Sequence, residues 1–128
     1  MSYYFNTTLA LDFDEAVAHV TEGLKVEGFG ILTRIDVTKT LKEKIGEDFR
    51  RYTILGACHP RLAHEALQIE DKVGTMLPCN VVVQELETGN VEVAAIDPVA
   101  SMQAIDNPRL GRAAEVVRDK LKSVIEAL

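Results

Sequence analysis

The segment Asn80-Val81-Val82-Val83-Gln84-Glu85-Leu86, the tetrad Glu87-Thr88-Gly89-Asn90 and the segment Val91-Glu92-Val93-Ala94-Ala95-Ile96 constrain this chain most. Both flanks are too rich in β-branched residues to be anything but strand, and the glycine-containing tetrad reverses the chain between them. Strands joined so tightly are antiparallel. A doubly wound parallel sheet is thereby excluded, and every other element has to be arranged around this hairpin.

The rest of the chain supplies three more strands and four helices. Asp12-Phe13-Asp14-Glu15 sets a carboxylate at a helix N-cap with Glu three residues on, and Phe13, Val17, Val20 and Leu24 recur at helical spacing until Gly28. The aromatic and β-branched stretch from Tyr3 to Leu9 precedes this helix as a strand. After it, Phe29, Ile31, Thr33, Ile35 and Val37 alternate with Gly30, Leu32, Arg34 and Asp36, as in a strand with one buried face. A short helix from about Thr38 to Ile45, closed by Gly46, has only Leu41 and Ile45 on its apolar side and reads as peripheral. Tyr52 to Cys58 is a third strand, and His59-Pro60 starts a helix because proline is tolerated at the first helical position. Asp97 to Asp106 reads as irregular. Asn107-Pro108 caps a last helix whose stripe Leu110, Ala114, Val117, Leu121, Val124 and Leu128 is sized for a sheet or a partner subunit. The order βαβαβαββα predicts an α+β fold, a mostly antiparallel sheet with its long helices on one face, in a single domain over 1–128.

Composition narrows the function classes. With 14 Lys+Arg against 20 Asp+Glu the net charge is −6, so electrostatics oppose binding to a phosphate backbone, and nucleic acid is not an expected partner. No apolar run approaches the roughly 18 residues of a membrane span, so a membrane is not expected either. Two cysteines and no basic-then-apolar leader give the cytoplasm as the expected compartment.

The candidate chemistry lies in Cys58-His59-Pro60 and Pro78-Cys79-Asn80, where both cysteines stand beside prolines at junctions of strand and loop. Cys58 just ahead of a helix N-terminus has its thiolate favoured by unpaired N–H groups and the helix dipole, which would make it a nucleophile with Cys79 resolving. The competing reading is a small apolar side chain filling a strand end. Cys79, at the start of an apolar strand, is expected to be buried and inert. If the two strands are adjacent, both thiols and His59 converge at one edge of the sheet. A soft-metal site from Cys58, Cys79 and His59 or His64 lacks the tight ligand pairs of structural zinc, so no metal and no cofactor is expected. His19 and His64 read as structural. Arg34 and Asp36 read as a cross-strand ion pair on a solvated face, or as the lining of a pocket opposite the thiols. Gly28-Phe29-Gly30 opens a strand and is no dinucleotide cradle, and no Gly-x-Ser-x-Gly elbow or C-x-x-C pair is present.

Arg34-Ile35-Asp36-Val37, Leu41 to Gly46, Ile54 to Ala63 with its Cys58-His59-Pro60, Leu77 to Val83, and Val91 to Pro98 together resemble the domain-of-unknown-function family 302. The resemblance covers about 35–98. It implies a TATA-binding-protein-like fold in single copy, with a curved antiparallel sheet backed by helices, and a homodimer; it implies no established activity. Relatives commonly carry Asn where this chain has His59 and often lack the thiols, which draws Cys58 and Cys79 towards a structural role and attention towards the corners at Pro60 and Pro78. The expectation is a non-enzymatic homodimeric module that binds a small molecule or peptide through Cys58, His59, Pro60, Cys79 and Asn80. The alternatives are a thiol-dependent enzyme and an interaction protein assembling through its last helix.

Overall fold

The computed structural model describes residues 2–128. Its elements run β1 (Tyr4–Leu9), α1 (Phe13–Val26), β2 (Gly30–Asp36), α2 (Val37–Ile45), β3 (Tyr52–Cys58), α3 (Pro60–Ile69), a 3₁₀ turn (Asp71–Met76), β4 (Cys79–Glu85), β5 (Val91–Ile96), α4 (Pro98–Ser101) and α5 (Pro108–Ala127). The five strands form one open sheet in the order β1-β5-β4-β3-β2, and every neighbouring pair is antiparallel. This is the α+β architecture the sequence predicts. The segment expected to be irregular after Pro98 contains α4, whose first amides are capped by Asp97.

Local chemistry sets the helix starts. Asp12 accepts a hydrogen bond from the Glu15 amide at 3.0 Å, Asp36 from Lys39 at 3.0 Å and Asn107 from Arg109 at 3.0 Å, each satisfying a donor that the first helical turn leaves free. Gly46 ends α2 with φ +69°, a left-handed conformation that suits glycine. α2 buries none of its residues, in keeping with a peripheral helix.

Register decides which side chains meet. Thr53 faces Val83, Leu55 faces Val81, and Val81 and Val83 in turn face Ala95 and Val93. Opposed residues share a face, and these, with Leu9 and Val91, form the buried face on which α1 and α5 lie. Leu121, Val124 and Ile125 of α5 and Val17, Val20 and Leu24 of α1 complete this core. The stripe of the last helix is therefore used inside its own subunit: Leu121 is fully buried. The opposite face of the sheet carries a row across four strands, Ile35, Ile54, Val82 and Ala94, all half-buried or exposed.

The alternation expected along β2 fails at one point. The register with β3 shifts between Ile31 and Thr33, so Leu32 is an extra residue with no partner. A β-bulge of this kind turns the following side chains to the other face. Ile31 stays with Ala57 on the helix side, while Thr33 and Ile35 move to the open face opposite Gly56 and Ile54. Arg34 and Asp36 move to the helix face instead.

No helix among the described residues is long and apolar enough to cross a membrane.

Candidate functional site

The apolar interior is in two pieces. The main core lies between the sheet and helices α1 and α5; a smaller cluster, Ala66, Val73 and Leu110 with Ile69, Leu77, Met102 and Ile105 around it, joins α3, the 3₁₀ turn and the start of α5. Between them is a pocket of about 310 Å³ whose walls include Phe29 and Ala57 from one cluster and Ala66 and Leu110 from the other. The gap exists because its walls are small where they meet: Ala57 on β3, Ala63 and Ala66 on α3, Gly74 in the 3₁₀ turn, and Ala113 and Ala114 on α5. Each of these stops at Cβ or short of it, where a leucine would have reached across.

Both sequence-predicted corners open onto this pocket. Cys58, His59, Pro78 and Cys79 line it, whereas Pro60 and Asn80 are exposed and lie outside its lining. β3 and β4 are adjacent, and the register pairs Cys79 with Ala57, not with Cys58. The two thiols are thus offset by one residue, and both are free. They lie at the ends of two interior strands and not at an edge of the sheet, because β2 and β1 occupy the edges.

His59 is the N-cap of α3, its Nδ1 accepting a long 3.5 Å hydrogen bond from the Leu62 amide, with Pro60 at the first helical position as expected. Its ring meets Phe29 edge-on at 5.5 Å between centroids. Gly28 leaves room for it: with φ +89°, a Cβ there would also lie 2.7 Å from His59 Nε2. An acceptor at Nδ1 puts the proton of the neutral imidazole on Nε2. At β3, Gly56 is held to glycine because the side chains of Thr33 and Pro78 occupy the space a Cβ would take.

A family model for the domain of unknown function DUF302 matches residues 5–128. The chain belongs to this family. The match extends well beyond the segment 35–98 on which the sequence resemblance rests, to almost the whole chain. A crystal structure of an uncharacterized conserved DUF302 protein from Bacillus stearothermophilus is similar to it, with 26% identity over 98% of each chain and a TM-score of 0.91. Nothing matches among curated proteins. The DUF302 fold is thus shared from end to end, and any chemistry has to be read from this chain's own pocket.

Although Cys58 stands just ahead of α3, burial pushes its thiol up. The Leu62 amide at the start of that helix is engaged by the His59 side chain. Cys79 is pushed up to about 11, first by burial and then by the neighbouring Cys58. Both are thiols at neutral pH, apolar and polarizable. Among the described residues no three His, Cys, Asp or Glu side chains converge to hold a metal ion. His64 is exposed, and His19 Nε2 lies 3.2 Å from the Leu128 carbonyl, a terminal tie between α1 and α5.

A second, polar hollow of about 470 Å³ lies at the other end of β3, lined by Arg34, Lys39, Lys42, Arg51 and Thr53 among others. Arg34 and Asp36 line it, but no ion pair joins them among the described residues, since Asp36 caps α2.

Sequence reasoning missed the alanines, Met102 and Leu32, all of which line the apolar pocket. The signal available was small: alanine is the best helix former, so alanines on two helices raise no question until the helices are seen to face each other.

Proposed function

We propose that this protein is a non-enzymatic binding module whose site is the pocket between α3 and α5 at the Cys58 and Cys79 corners. One observation carries the reading: the two halves of the interior fail to meet, and the gap of about 310 Å³ opens at the sequence's two marked corners. Concave, mostly apolar cavities with few polar groups are the usual form of small-molecule sites, and this volume is at the lower end of their range of about 300–1,000 Å³. The raised thiols favour binding over thiol chemistry. Native mass spectrometry and thermal-shift screening against a metabolite library test the proposal. A compound that raises the melting temperature of the full chain, and loses that effect when Ala113→Leu fills the pocket, supports it; a library without a single hit counts against it.

In this reading the module is a homodimer, as its family resemblance implies. With the α5 stripe used within the subunit, the open face of the sheet is the surface left for a second copy, with Ile35, Ile54, Val82 and Ala94 at its centre. Ile35 is 47% exposed although it sits in this row. Sedimentation velocity of Val82→Asp and Ile35→Asp checks the arrangement. Monomers with unchanged circular dichroism are expected, and a dimer unaffected by both changes would place its interface elsewhere.

A further inference from the structure

The pocket's walls also limit what it can hold, given that it is the binding site. The polar side chains on it are His59 and the two thiols, and His59 Nδ1 is turned back to its own helix. A peptide threaded into it would bring an N–H and a C=O with every residue, and these walls offer almost nothing to pair them. An ionised group seated inside would lose its water with no counter-charge in reach.

Size narrows the class further. An apolar cavity of about 150 Å³ takes a benzene molecule, so one of about 310 Å³ has room for about ten to twelve carbon atoms. The mouth has the same character as the interior. Leu32 is 67% exposed and Leu67 is 42% exposed, yet both line the pocket. Leu32 is the extra residue of the bulge in β2, and bulges commonly re-aim a side chain beside a site. An exposed leucine on an edge strand is otherwise a liability for edge-to-edge association.

We propose that the pocket takes a neutral, hydrocarbon-like molecule of about ten carbon atoms, a medium-chain alcohol or a two-ring aromatic, and that the bulge holds Leu32 as the lip that covers it. The ligand's polar end, where it has one, lies at the mouth in water.

Isothermal titration of the full chain with 1-octanol and with 1-naphthol tests this, alongside the metabolite library of the preceding section. Both probes are expected to bind. Ala113→Leu or Ala63→Leu, which extend into the cavity from different helices, should each weaken binding at least tenfold; two positions keep the test alive if one variant folds poorly. Leu32→Asp should weaken it about fivefold and Leu32→Met should restore it, with the circular dichroism spectrum unchanged in both. Two results overturn the proposal: probe binding indifferent to both alanine variants, or no probe binding while ionic metabolites or peptides bind in an Ala113-sensitive way. The second leaves the pocket as the site and rejects only its occupant; absence of any ligand of any class rejects the site as well. A Leu32→Asp chain that loses its dimer but keeps full affinity for 1-octanol would show that Leu32 serves association and not the ligand.

Discussion

The two ends of β3 face two different hollows, and the larger one is the poorer candidate. Near Tyr52 and Thr53 the hollow measures about 470 Å³ and is set with charges, among them Arg51 paired with Asp14 at 2.8 Å and Lys42 with Asp48 at 2.9 Å. Water can satisfy such walls, so an incoming molecule gains little by displacing it. Near Ala57 and Cys58 the pocket is about 310 Å³, and its walls are alanine, leucine and sulfur. Water there has few partners, so covering those walls with apolar surface is favourable in itself. Lining, not volume, decides which of the two can act as a site.

Between the ends, Leu55 belongs to the closely packed middle of the sheet and is fully buried against Val81. Leu55→Ala should cost about 2–5 kcal/mol, the transfer term plus an unrelaxed cavity. Leu67→Ala removes the same atoms from the half-open mouth of the apolar pocket, and it should cost less than about 1 kcal/mol. Urea denaturation of the two variants measures how sharply packing falls off along one strand and its following helix. Equal losses would mean that the mouth is as tightly packed as the centre, and the contrast between the regions would fail.

pH gives the next largest effect, and it belongs to the apolar end. The Cys79 pKa stands at about 11 in the folded chain against an ordinary 9.0. Its raised value stabilises the fold fully below pH 9, where both states hold the proton, and this contribution is lost as pH rises towards 11. Two pH units correspond to about 2–3 kcal/mol at most. Stability should therefore be flat in this term through neutral pH and decline above pH 9, with Cys58 adding a loss of the same sign. Cys79→Ala should flatten most of the decline; a decline that persists unchanged in this variant would assign it to other groups.

How much of this was legible depends on how local the cause is. Asp12, Asn107-Pro108 and the hairpin around Gly89 could be read because a cap or a turn is satisfied within a few residues. The corners at Cys58 and Cys79 could be read for the same reason, through their adjacent prolines. The pocket itself could not. Ala57, Ala63 and Ala113 come from a strand and two helices, and nothing near any of them says that it faces a gap. The bulge at Leu32 was equally hidden, since the alternation on either side of it is intact and only pairing with β3 exposes the slip. Cys79 could be read as buried from the apolar strand it starts, whereas for Cys58 position along the chain offers a helix dipole that lowers a pKa while burial, a property of the whole fold, raises it.

Filling the pocket should also register in stability without any ligand. Ala113→Leu adds three carbons that have space to occupy, and it should stabilise the chain by about 1 kcal/mol where overpacking would destabilise it by about 1–3. The sign alone is informative. A stabilised variant that no longer binds apolar probes would separate the pocket's role from any role in folding.

The smallest effect is expected at the polar end. Arg51 reaches Asp14 at 2.8 Å while its guanidinium lies 4.3 Å over the Phe13 ring, but the pair is largely in water, where such bridges contribute about 0–1 kcal/mol. Arg51→Ala should cost about 0.5–1 kcal/mol, part of it from the aromatic contact and not from the ion pair. Salt separates the two shares: raising ionic strength screens the exposed pair and leaves the ring contact mostly in place, so the gap between wild type and Arg51→Ala should narrow without closing. The same salt titration on Ala113→Leu should leave its stability difference unchanged, because no charge is involved at that end. If instead the Arg51 gap stayed fixed while the Ala113 gap moved with salt, the assignment of charge to one hollow and hydrocarbon to the other would be reversed.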